Sequence, residues 1–421
     1  MEPEHYSFRG VSRRRFVAQS AALSAIFPSL ARSGQPASGG DRRSLLAYVG
    51  TYSSPQGPEG SKGRGQGIYV YEMNLSTGAL SRREVFEDGS NPAWLALDPS
   101  GRYLFAANEI NDFQGTNSGA VTAFSVDRSS GHLTKLNTVS SQGAGPAHLS
   151  VHPSGRWVFV ANYAGGSFAV LPVGPDGRLG AATDTKRESG QVGPTHATSA
   201  PPGSFAISGH DHPHGHMIRS DASGRFVFGS DLGLDQIQIW KFDAERGKLM
   251  PNTPGSVSVP PGDGPRHFIF HPNGRWFYSL QEEGSTIILF DYDAKLGRLT
   301  KRQSVSSLPP SFAGTNFTSE IRISPDGRFV YAGNRLHDSI AWFSVSASGT
   351  LKFVGETWTR GDYPRSFTID PTGAFLYSCN QRGDAITAFR IDRSSGALNF
   401  TGQYTAVGTP AILIFPGSID R

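Results

Sequence analysis

Seven copies of a Gly-x-Leu triplet punctuate the chain, beginning at Gly78, Gly131, Gly177, Gly247, Gly297, Gly349 and Gly396. Their spacing runs from 46 to 53 residues, with one interval of 70. A second motif recurs between them at Asp98-Pro99-Ser100-Gly101, His152-Pro153-Ser154-Gly155, Asp221-Ala222-Ser223-Gly224, His271-Pro272-Asn273-Gly274, Ser324-Pro325-Asp326-Gly327 and Asp370-Pro371-Thr372-Gly373. Each is a reverse turn, in which Pro sets φ and Gly supplies a positive φ. The flanking segments are apolar and β-prone. In one unit, residues 147–151 precede the turn, 157–161 follow it, and 167–173 lead to the next Gly-x-Leu. Each unit therefore reads as a four-stranded antiparallel meander.

Repeats of this length, one small sheet each, predict an all-β, seven-bladed β-propeller. The seventh blade closes only if the ends are shared. Residues 45–52 and 68–73 and a strand after Leu80 lack an innermost strand, and the apolar run 410–415 lacks partners. Pairing the C-terminal strand with the N-terminal three hides both edges. A length of 421 residues alone suggests about three domains; the repeat replaces these with one propeller over 45–416 and a tail at 417–421.

Composition agrees. With 51 Gly and 28 Pro, long helices are excluded. With 37% hydrophobic and 11% aromatic residues, a packed core is within reach. A net charge of +4 is too small for a nucleic-acid footprint. Cys379 is alone, which excludes an internal disulfide and a cysteine zinc site.

Residues 1–31 read as an address. Ser12-Arg13-Arg14-Arg15-Phe16 opens an uncharged stretch to Ala31, with Ser29-Leu30-Ala31 as a small-residue cleavage site. This pattern resembles a twin-arginine export signal. It implies the twin-arginine export machinery as a partner, a linker at 32–44, and a periplasmic or secreted protein. No later segment is long and apolar enough for stable membrane insertion.

The meander fixes where chemistry can sit. The start of each first strand and the end of each second strand share one rim, where seven blades converge on a channel mouth. The first-strand starts hold Trp94, His148, His216, Arg266, His267, Glu320 and Arg365. The second-strand ends hold Asn108-Glu109, Asn162-Tyr163, Asp231, Gln281-Glu282, Asn334-Arg335 and Asn380-Gln381. The turns repeat while these positions differ in charge, as expected of a heterogeneous site. The 70-residue interval carries an insertion, 180–213, that is either a lid on this rim or a surface excursion. It ends in His210-Asp211-His212-Pro213-His214-Gly215-His216, an invitation to metal. One extended strand, however, would set all four imidazoles on one side, unlike a tetrahedral cage. The expectation is therefore no metal and no cofactor.

The block from Gly264 to Pro272 (GPRHFIFHP), Gln281-Glu282, the segment EIRISPDGRFVYAGNR from Glu320 to Arg335, residues 364–370 and DLGLDQI from Asp231 resemble the lactonase-type seven-bladed propellers. That family includes bacterial propeller 6-phosphogluconolactonase and fungal carboxy-cis,cis-muconate cyclase. The resemblance implies a metal-independent site at the channel mouth. It places the family's catalytic His, Arg, Glu and Arg on His216, Arg266, Glu282 and Arg335. His148, His267, Glu320, Arg365 and Gln381 are the expected substrate-binding neighbours from the rim. Lactone hydrolysis needs a base to activate water and cationic donors for the oxyanion. Either Glu282 or His216 fits the base; the arginines offer the fork.

The chain is thus expected to be an exported hydrolase of a sugar-acid lactone. An unphosphorylated aldonolactone suits export better than 6-phosphogluconolactone. The alternatives are a muconate-type lactonising cycloisomerase and a non-catalytic ligand- or protein-binding propeller.

Overall fold

A computed structural model describes residues 44–55, 62–205 and 208–417; the export-signal assignment lies outside them. Its 28 strands form seven four-stranded antiparallel sheets, with no α-helix among the described residues. The expected closure is present. Strand β28 (Pro410–Ile414) pairs with β1 (Ser44–Thr51), which continues to β2 (Gly67–Asn74) and β3 (Leu80–Glu87). Tyr48 faces Ile414 and Val49 faces Leu413 across that seam.

The core lies between the blades. Seven buried apolar clusters each draw on two adjacent sheets, and together they link every neighbouring pair around the ring. Cys379 is fully buried in the cluster joining the last blade to the closing one, and burial pushes its thiol up to about 12. It therefore belongs to the core rather than the rim on which its strand ends.

The two repeated motifs are the joints of this ring. The opening residue of the Pro-Gly turn has two uses. Asp98 and Asp370 cap their own turns, accepting the amides of Tyr103 at 2.7 Å and Phe375 at 2.6 Å. His152 and His271 hold their own turns through Nδ1 and also reach the next blade, meeting the carbonyls of Gly224 at 3.1 Å and Gly327 at 3.0 Å.

The glycine of Gly-x-Leu packs on the preceding blade. Gly349 has φ of 85°, and a Cβ there would sit 2.4 Å from the Trp276 ring. Its carbonyl accepts the Tyr278 hydroxyl at 2.8 Å. Gly396 and Gly78 receive Tyr331 and Tyr377 in the same way. Gly349→Ala is expected to cost about 1–3 kcal/mol through overpacking and a strained φ. Urea unfolding checks this, and an unchanged midpoint would remove the joint's role.

Candidate functional site

All seven innermost strands begin with a β-bulge, and the bulges sort the candidate residues. In the strand Pro265–Phe270, Pro265 pairs with Gln281 and His267 with Leu280, leaving Arg266 as the extra residue. The same offset makes His216, Arg365, Ala147 and Ala93 the extra residues of their strands, and Ser319 holds the equivalent place. A bulge re-aims the side chain it carries. The next position holds Trp94, His148, His267 and Glu320. His148 and His216 are therefore not equivalent: they lie one residue apart in register.

This offset separates two layers. A cavity of about 620 Å³ is lined by His216 and Arg365 from the bulges, with Ala147. It is also lined by Tyr52, Glu109, Tyr163, Glu282 and Arg335, each the first residue after a blade's second strand. His148, His267 and Glu320, expected to bind substrate, are not among its lining residues. They are buried and pack with the half-buried Trp94. The Trp94 and His148 rings lie 4.7 Å apart, His148 and His267 5.6 Å, and His267 Nδ1 meets Glu320 at 3.2 Å. Gln381 is buried and also stands outside the lining.

Arg266, expected to be catalytic, is 2% exposed and acts through Glu282. Its Nε lies 2.9 Å from Glu282 Oε2, and its other arm donates to the Ser319 carbonyl. Arg335 approaches Glu282 Oε1 at 2.7 Å, and the Ser208 hydroxyl donates to the same oxygen at 2.5 Å. Burial alone would raise the Glu282 carboxyl. Arg335 and Arg266 outweigh it and hold the group at about 2. Glu282 is thus a fixed anion between two fixed cations, and a poor proton acceptor.

His216 is 5% exposed, against the rings of Tyr163 at 5.5 Å and His267 at 5.0 Å. Burial first, then Arg266 and His267, hold its pKa well below the usual histidine value. It is a neutral imidazole at pH 7, and its Nδ1 has no partner among the described residues. Of the two bases left open by the sequence, Glu282 is locked in ion pairs, whereas His216 keeps a ring nitrogen with no partner among the described residues.

The cavity wall adds residues not selected from the sequence. Tyr52 donates to Glu109 Oε2 at 2.7 Å, the Arg365 guanidinium meets that oxygen at 3.3 Å, and Arg365 lies 4.9 Å over the Tyr52 ring. Arg382 stacks on Tyr363 at 3.7 Å, and Arg335 lies over Tyr363 and Phe317 at 5.3 and 5.5 Å. Glu109 and Tyr163 had the right position signal and went unchosen. Tyr52 holds that same position in the blade formed by both chain ends. Tyr363 and Arg382 sit in loops that no repeat marks. By contrast, Asn162 and Asn334 serve the scaffold, each donating to a neighbouring carbonyl at 2.9 Å.

The insertion is neither a free lid nor a surface excursion. Its start supplies a fourth blade strand, Asp184–Arg187. Its end brings Ser208 and Gly209 into the cavity wall. His210 anchors it, lying 3.1 Å from Glu283 and 3.3 Å from Asp235. Burial would lower this imidazole, but bonds to Asp235 and Glu283 push it up to about 10. The four histidines do not share one side, because the strand begins only at Gly215 and the preceding turn sends each ring elsewhere.

Comparisons with known proteins identify the family. Residues 46–415 match the family model described as "Lactonase, 7-bladed beta-propeller". The chain is 32% identical over 371 residues to the 6-phosphogluconolactonase of Bacillus subtilis, covering 88% of this chain and 98% of the relative. It is 31% identical to the 6-phosphogluconolactonase of Formosa agariphila, over 87% and 99% of the two chains. The solved periplasmic gluconolactonase of Pseudomonas aeruginosa superposes with a TM-score of 0.79 at 32% identity, over 88% of this chain and 99% of that one. The chain belongs to the lactonase family of seven-bladed β-propellers.

Proposed function

We propose that this chain is an exported hydrolase of sugar-acid lactones, acting on an unphosphorylated aldonolactone. The observation that carries the reading is that one cavity is lined both by a neutral His216 and by Glu282, which is locked between Arg266 and Arg335. His216 takes a proton from water as its oxygen adds to the lactone carbonyl carbon. Arg335, edged into the cavity, is placed for the developing oxyanion. The ring C–O bond then breaks, and the proton passes from the imidazolium to the departing ring oxygen. The product is the open-chain acid, with every atom of lactone and water retained.

The preference for an unphosphorylated substrate rests on the twin-arginine pattern in residues 1–31, and the gluconolactonase relative supports it. A panel of glucono-lactone, its 6-phosphate and a muconate, at controlled pH, tests both parts. Faster acid release from glucono-lactone than from buffer alone is expected. A preference for the phosphorylated lactone would overturn the substrate assignment, and turnover of muconate alone would make the protein a cycloisomerase.

The pH profile gives a second check. A base must be deprotonated to work, and the His216 pKa is lowered, so its working form persists as pH falls through 6.5. kcat/KM, corrected for spontaneous hydrolysis, is expected to stay flat from pH 7.5 to below 6.5 and drop only under that. Half-loss near 6.5 would assign the base to an ordinary, solvated histidine.

A further inference from the structure

Outside the cavity, the insertion folds His212 and His214 against Asp211. The liganding atoms of these three residues all lie within 4.8 Å of one another. Their hydrogen bonds settle which nitrogens carry protons. His214 Nδ1 is 3.0 Å from the Tyr163 carbonyl, and His212 Nε2 is 3.2 Å from the Ala164 carbonyl. A carbonyl only accepts, so both of those nitrogens are N–H. In neutral rings the lone pairs then sit on His214 Nε2 and His212 Nδ1. Both point at the Asp211 carboxylate, at 2.7 and 2.9 Å.

An ionised carboxylate only accepts, so two lone pairs facing it are repulsive. The ring centroids lie 3.9 Å apart, and a cation between the three groups would accept all of these lone pairs at once. Backbone carbonyls holding the far N–H of each imidazole are the usual outer support of a metal-binding histidine.

We propose that Asp211, His212 and His214 form a binding site for a divalent transition ion of the zinc type. Two imidazole nitrogens and a carboxylate suit such an ion, with solvent in the fourth position. Ligand bonds of about 2.0–2.1 Å require the nitrogen-to-oxygen gaps to open by roughly 0.5 Å. Asp211, whose side chain is 75% exposed, is free to swing by that amount. None of the three lines the cavity, so the ion stands apart from the reacting centre. It ties the end of the insertion to the Tyr163–Ala164 segment. The Tyr163 ring stacks on His214 at 4.2 Å and edges onto His216, so the ion stiffens one wall of the cavity.

The test uses the untagged chain, stripped with a chelator and titrated with ZnCl2 calorimetrically at pH 7.5. One equivalent per chain and a rise in Tm are expected. His212→Gln and Asp211→Asn replace outward-facing groups, and each is expected to weaken binding at least tenfold while leaving the metal-free Tm unchanged. Should a variant fold poorly, the visible spectrum of the unsubstituted protein with Co²⁺ decides, tetrahedral bands being expected. No stoichiometric binding, or variants that bind as tightly as the parent, would overturn the site.

Discussion

Glu282→Gln is expected to destabilise the protein by about 3–5 kcal/mol and to abolish most of its activity. The carboxylate is 4% exposed and faces two guanidinium groups at 2.9 and 2.7 Å. A neutral amide takes away the carboxylate that Arg266 and Arg335 share and leaves two like charges facing each other in a buried place. Losing one partner of a buried pair costs far more than the pair contributes, because the remaining charge keeps its desolvation penalty. Arg266→Met added to Glu282→Gln should therefore recover part of the loss, a coupling that a double-mutant cycle in urea measures. Acid acts in the same direction. The folded pKa of Glu282 is lowered, so its contribution is complete above the unfolded value of 4.5 and is lost as pH falls towards about 2. A single variant as stable and active as the parent would sink this account of the site.

His216→Ala should separate chemistry from folding. The imidazole is neutral, carries no buried charge and leaves its Nδ1 unpaired, so its loss strands no ion. Removing a general base lowers kcat by about 10²–10⁴-fold. KM should move little, since the arginines and aromatics of the wall remain. Steady-state kinetics with glucono-lactone, alongside a melting curve, reads both. A kcat within threefold of the parent would return the role of base to another group.

The fold was legible because the repeated residues are the joints. Each Gly-x-Leu glycine and each Asp or His of the Pro-Gly turn is constrained by a contact repeated around the ring. The site was legible only in part. Its charged residues stand out because they differ between blades, but their layer depends on a one-residue bulge. Nothing in Gly264-Pro-Arg-His announces that Arg266 is the extra residue while His267 stays in register, so His148 and His216 looked equivalent. Tyr363 and Arg382 come from loops where no period applies. The histidine run misled for a related reason: alternation predicts one face only within a strand, and the strand starts at Gly215.

The pairing of β28 with β1 also imposes an order in time. During synthesis, the first three strands of the closing blade emerge with the free edge of β1 exposed, and that edge stays bare until residue 414 has left the ribosome. Its partner lies more than 350 residues away, so no early fragment can complete the ring. A prematurely terminated chain would present an unpaired strand carrying Tyr48 and Val49, a template for mispairing.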